Sequence, residues 1–133
     1  MKKYLIIGLT LMLFLSLKNE VFAQLTSSQP EIAKWQSEQD AKSFWEFKND
    51  GKLYSTYSGR NYIAEYRYQI TSAPPICQEG VSLAIEKNVK FLQLTDQEDG
   101  SILCFYIYGL NAERLTVMDA QTGHIFPFIK AED

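Results

Sequence analysis

Four turn signals cut the chain into short segments: Asn49-Asp50-Gly51, Ser58-Gly59-Arg60, Asp99-Gly100 and Gln121-Thr122-Gly123. Glycine at these points supplies the positive φ that tight hairpins need. The runs between them are rich in Tyr, Phe, Ile, Val and Thr, which suit a pleated, half-buried surface. Residues 61–71 alternate best. Tyr62, Ala64, Tyr66, Tyr68 and Ile70 fall on one face, and Ile63, Glu65, Arg67 and Gln69 on the other. That is the pattern of a strand with one packed side and one wet side. Further strands are expected at 32–37, 44–48, 52–57, 90–95, 102–108, 114–119 and 124–130. Residues 102–108 (ILCFYIY) are apolar on both faces, which predicts a central strand. Pro127 predicts an edge or a bulge in the last strand, because it cannot donate to a ladder. Residues 72–80, with Pro74-Pro75 and Cys77, read as a loop.

No helical period of useful length follows Gln24. Pro30-Glu31-Ile32-Ala33 allows at most one helical turn. Eight short antiparallel strands have two common solutions, a two-sheet sandwich and a closed up-and-down barrel. Consecutive short hairpins favour the barrel, since Greek keys need long crossovers. The expected fold is therefore all-β: an eight-stranded antiparallel up-and-down barrel over 32–133, preceded by a flexible polar segment at 24–31.

The first 23 residues have a different character. Lys2 and Lys3 precede the uncharged run LIIGLTLMLFLSL at 5–17, and Val21-Phe22-Ala23 ends the segment. A basic start, an apolar run and small residues before a cut describe a secretory signal peptide cleaved between Ala23 and Gln24. Thirteen helical residues would span about 20 Å, short of the ~30 Å hydrocarbon core. No Cys stands at the cut, so no lipid anchor and no membrane anchor are expected. The location read from this segment is the bacterial periplasm or the secreted space.

Charge narrows the partners. The whole chain has 13 basic and 16 acidic residues; Lys2, Lys3, Lys18 and Glu20 lie in the leader, leaving 10 basic against 15 acidic beyond it. That balance argues against nucleic acid and against an anionic membrane surface, both of which select clustered Lys and Arg. Cys77 and Cys104 are the two cysteines. In an oxidising compartment such a pair most often forms a disulfide, and two free thiols are the alternative.

The order of these features resembles small secreted lipocalin-like proteins of bacterial, Bacteroidetes type. Ala33-Lys34-Trp35-Gln36-Ser37 is similar to the first-strand Trp of lipocalins, although Ala33 stands where they carry Gly. Phe44-Trp45-Glu46-Phe47 running into Asn49-Asp50-Gly51-Lys52 resembles their aromatic hairpin, and Tyr66-Arg67-Tyr68-Gln69-Ile70 the aromatic strand after it. Leu92-Gln93-Leu94-Thr95, Cys104 to Asn111 and Glu113-Arg114-Leu115-Thr116-Val117 complete the likeness, which covers 32–129. The resemblance implies a lipocalin-like barrel, a paired Cys77 and Cys104, and a small apolar ligand or a partner. It implies no substrate.

Catalytic chemistry has little support in the sequence. His124 is the one histidine, with no Ser or Cys motif around it, so no nucleophilic triad is indicated. Asp96, Glu98 and Asp99 precede Gly100, but a calcium loop with Gly100 at its sixth position would need acids where Thr95 and Gln97 stand. They read as a solvated turn. No catalytic residue, metal ligand or cofactor is expected. The excess is aromatic: 8 Tyr and 8 Phe. Tyrosine suits a pocket wall, an interface or an ordinary barrel lining. The leading expectation is an exported non-enzymatic binding barrel with Tyr57, Tyr66, Tyr68, Phe105 and Tyr106 on the wall around a small hydrophobic molecule. The alternative is a periplasmic interaction or inhibitor module with a filled barrel, acting through its surface.

Overall fold

The computed structural model describes residues 29–58, 62–78 and 80–132; the leader, its cut after Ala23 and residues 24–28 lie outside the described residues. Eight strands run in chain order: β1 Lys34–Ser37, β2 Ser43–Phe47, β3 Lys52–Tyr57, β4 Tyr62–Thr71, β5 Lys90–Asp96, β6 Ile102–Leu110, β7 Arg114–Asp119 and β8 Ile125–Lys130. Each pairs antiparallel with the next, and β1 pairs with β8, so the sheet closes as an up-and-down barrel. Closure leaves no unpaired edge, which is how a sheet of short strands avoids joining other chains. Gly51, Gly100 and Gly123 take positive φ at the β2–β3, β5–β6 and β7–β8 turns, the conformation expected of them from sequence.

Alternation sorts the strands into an apolar inside and a polar outside. Trp35, Phe47, Leu53, Leu92, Leu94, Phe105, Ile107, Leu115, Val117 and Phe128 form one buried cluster. Aromatic edges hold it together: Trp45 stacks on Phe128 at 4.7 Å and meets Phe105 edge-on at 5.6 Å, while Phe47 meets Tyr68 at 4.9 Å. Outward positions carry Lys52, Glu65 and Arg67, with Lys52 and Glu65 paired at 3.2 Å. This arrangement is inverted relative to a lipid-embedded barrel, whose apolar side chains face out. The exposed ion pairs, including Arg114 with Glu38 at 2.8 Å, each contribute about 0–1 kcal/mol.

Three local expectations are revised. Residues 102–108 are apolar on both faces, but no strand is central in a closed barrel. The outer face of β5 and β6 is instead covered by the irregular strap 72–89. Phe91, Cys104 and Tyr106 face outward there and are nonetheless buried. The strap is held by the Cys77–Cys104 disulfide, by Gln93 Nε2 donating to Ile76 O at 2.6 Å, and by the Ala84 N–H donating to the Tyr106 hydroxyl at 2.9 Å.

Pro127 is neither at an edge nor at a bulge. Its carbonyl accepts the Glu38 N–H at 2.9 Å, so its missing donor would have faced Glu38, one residue beyond the end of β1. The shortness of β1 removes the ladder position that proline would have broken. A register shift lies elsewhere, in β6 between Ile107 and Gly109, where Tyr108 is the extra residue. The first strand begins at Lys34 rather than at 32, because 30–33 forms a turn in which the Ile32 N–H donates to Gln29 O.

Candidate functional site

The barrel has two unlike ends. The lower end gathers the turn before β1, the β2–β3 and β6–β7 turns, and the strap. The upper end gathers the β1–β2, β5–β6 and β7–β8 turns, with the end of β3 and the start of β4. Toward the lower end the inward side chains of β1, β2 and β3 are sealed: Trp35 and Leu53 are fully buried and Phe47 nearly so. The Trp35 indole N–H donates to Glu31 O at 3.1 Å, which ties the segment before β1 across that end. Residue 31, expected in a flexible segment, is thus in contact with the barrel. Upward the lining changes. Ser43, Trp45, Ser55, Tyr57, Ala64 and Tyr66 are only half-buried, as are Leu103 and Phe126 across the barrel. Register places all of them on the inner face, through the pairs Trp45↔Ser55, Ser55↔Ala64, Leu53↔Tyr66, Leu94↔Leu103 and Val117↔Phe126. The inner lining toward this end is thus partly solvated, with Trp45, Tyr66, Leu103 and Phe126 packed on the buried cluster below.

The five expected wall residues separate. Tyr57 ends β3 at the mouth, and Tyr66 lies below it on the inner wall. Phe105 is inward but buried in the core beneath them. Tyr68 is inward at the opposite end, where its hydroxyl donates to Lys48 O at 2.9 Å. Burial pushes its phenol above the usual range, and the Glu31 and Asp50 carboxylates add to this, so it remains a neutral donor. Tyr106 is not on the wall: it faces outward, packs on Phe91 at 5.5 Å and is covered by the strap. One residue of phase decides this, because neighbours on a strand point to opposite faces. Trp45, Leu103 and Phe126 share the inner face at this end, and the sequence does not mark Leu103 or Phe126 as wall residues. Alternation in β8 gives Phe126 its face only, which it shares with Phe128 around Pro127.

The polar groups near the mouth are engaged in turn geometry. Asp96 Oδ1 accepts the Glu98 N–H and Asp119 Oδ1 accepts the Gln121 N–H, each at 2.7 Å. Ser37 Oγ accepts two backbone N–H groups at 3.2 Å, from Gln39 and Asp40. Asp99 accepts from the Ser101 N–H, and hydrogen bonds from Ser101 hold its carboxyl below the usual range. His124 lies just before β8, 3.2 Å from Gln39 Oε1, with its ring edge-on to Phe126 at 4.5 Å. Among the described residues no group of three His, Cys, Asp or Glu is gathered as a metal site would require. Cys77 and Cys104 are bonded, with Cα atoms 5.8 Å apart.

Comparison with protein-family models, curated proteins and solved structures finds no match to this chain.

Proposed function

We propose that this chain is an exported, non-enzymatic binding protein that holds a small apolar molecule in the upper mouth of a lipocalin-like barrel. The half-buried inner lining of Trp45, Tyr57, Tyr66, Leu103 and Phe126 carries the reading. Inward apolar surface left in contact with water costs about 25 cal/mol per Å² relative to covering it, and an apolar guest covers it. The opposite charge pattern, polar out and apolar in, suits a carrier that stays in water. The engagement of His124 with Gln39 and Phe126, and of Asp96 and Asp119 with their turns, supports a binding role. The Cys77–Cys104 disulfide suits an oxidising compartment, in keeping with a leader at 1–23.

Two measurements test this reading. The intact mass of protein recovered from its host is expected to correspond to a chain beginning at Gln24 and lighter by two hydrogens; a chain that keeps residues 1–23 contradicts export. The fluorescent apolar probe N-phenyl-1-naphthylamine is expected to bind with a dissociation constant of about 1–10 μM. Ala64→Phe, which fills the mouth between Ser55 and the rim, should weaken it about tenfold with the melting temperature held within a few degrees, by roughly the scale of a volume change in a half-buried site. Unchanged binding in Ala64→Phe, with folding intact, removes the mouth as the site. In that event the exposed Ile76 and Ile85 of the strap favour the surface-acting alternative.

A further inference from the structure

A depression opens at the lower end, away from the mouth. Its volume is about 410 Å³, within the range of small-molecule sites. Its apolar lining includes Pro30, Ile70, Ile107 and Leu110; its polar lining includes Glu31, Asn88, Lys90 and Tyr108. The barrel's own irregularities make it. The β6 bulge turns Tyr108 outward and brings Leu110 back in line with Leu115, which opens the strand end. Gly109 adds no side chain there. Asn88 takes a left-handed backbone conformation (φ 66°) that lets the strap turn sharply into β5. Trp35 seals the side of the end nearest β1, and the side nearest β4, β5 and β6 stays open.

The charges of this depression are arranged in an unusual way. Glu31 lies three residues before the start of β1, and Lys90 is the first residue of β5. The segment before β1 crosses this end, so Glu31 lines the same groove as Ile70 of β4, Lys90 of β5 and Ile107 of β6. Glu31 and Lys90 are not paired with each other, and the ion pairs among the described residues involve neither. Lys90 is also in phase with Leu92 and Leu94, opposite Ile107, so it stands on the inward register of β5 rather than on the wet face. An apolar floor whose lining holds one anion and one cation that form no ion pair with each other suits a ligand with an apolar body and opposite charges at its two ends.

We infer that this lower groove is a binding site for small zwitterions with apolar bodies, of the apolar dipeptide class, with Lys90 taking the carboxylate and Glu31 the ammonium. Asn88 and Tyr108 supply hydrogen bonds between them. The site is independent of the mouth, which lies at the other end of the barrel and shares none of these residues.

The test is an amide-resolved NMR titration of the folded chain with leucyl-leucine, with N-acetyl-leucyl-leucine and with leucyl-leucinamide. Leucyl-leucine at up to about 10 mM should move the Ile70, Asn88, Lys90, Gly109 and Leu110 amides and leave Tyr57, Leu103 and Phe126 in place. Removing either terminal charge should weaken binding about three- to fivefold, the scale of a partly solvated ion pair. Lys90→Gln should reproduce the loss for leucyl-leucine and leave leucyl-leucinamide unchanged, and Glu31→Gln should do the converse with the acetylated peptide. Both are exposed or half-buried side chains, and the backbone carbonyl of Glu31 that serves Trp35 is kept. Gly109→Val adds a side chain at a groove-lining position where a Cβ meets nothing nearer than 3.9 Å, and should weaken all three peptides in a folded barrel. No shift in the groove, shifts confined to the mouth, or equal binding of the charged and blocked peptides overturns the inference.

Discussion

Trp35→Ala is expected to cost about 3–5 kcal/mol, the range for truncating a fully buried large aromatic side chain. Two contributions add at this position. The indole is wholly buried and plugs the lower end among Phe47, Leu53 and Phe128. Its N–H donates to Glu31 O, so the truncation also releases the segment that crosses that end. For a domain of about 100 residues, whose net stability is about 5–15 kcal/mol, the loss should appear as a fall in melting temperature of more than 15 °C. Trp35→Phe separates the two contributions. It keeps most of the ring and loses the hydrogen bond, so about 1–2 kcal/mol is expected. Chemical denaturation of the three proteins measures both differences. A fall of only a few degrees for Trp35→Ala would show that the lower end does not depend on this plug.

Cutting the Cys77–Cys104 bond should have the next largest effect. The bond spans 27 positions, and closing a loop of that length stabilises the fold by about 3–4 kcal/mol on the chain-entropy account. Cys77→Ser is the cleaner variant, since Cys77 lies half-buried on the strap while Cys104 is buried on β6. Without reductant, Cys77→Ser should melt about 15–25 °C below the parent chain, by the usual conversion for a domain this size. With reductant the two should converge. The loss should be uneven. Amides at 76–84 of the strap should exchange much faster than those of β1, β2 and β3, because Gln93 to Ile76 O and Ala84 to the Tyr106 hydroxyl are then its main remaining ties. Equal melting without reductant would mean that the strap is held by Phe91, Tyr106 and its hydrogen bonds alone.

The strand positions were legible along the chain for a local reason. Turn glycines and period-two alternation act over a few residues, and 52–57 and 114–119 are bounded in the structure as the alternation bounds them. The run of short hairpins also pointed to closure as a barrel, since nothing long enough for a crossover lies between most strands. The inner face of β4 was readable because Glu65 and Arg67 mark its wet side. The same reasoning failed on β6, where both faces are apolar and no charge tells in from out. Tyr106 there went to the wrong face. The deciding fact is the strap 72–89 folded over β5 and β6, a contact between segments far apart in sequence.

Pro127 shows the same division. Its inability to donate is a property of the residue, but whether a donor is missed depends on where β1 ends on the neighbouring strand. The mouth and the groove belong to the fold for the same reason. Half-burial of Trp45, Leu103 and Phe126 comes from how far each stands from one end of a closed cylinder. The meeting of Glu31 and Lys90 in one groove comes from the segment before β1 crossing the lower end of the barrel. Local chemistry therefore set the strands, the turns and the polarity of most faces. Closure decided which aromatics are covered, which are left at an opening and which charges meet there, because these depend on distances that only the joined ends of the sheet create.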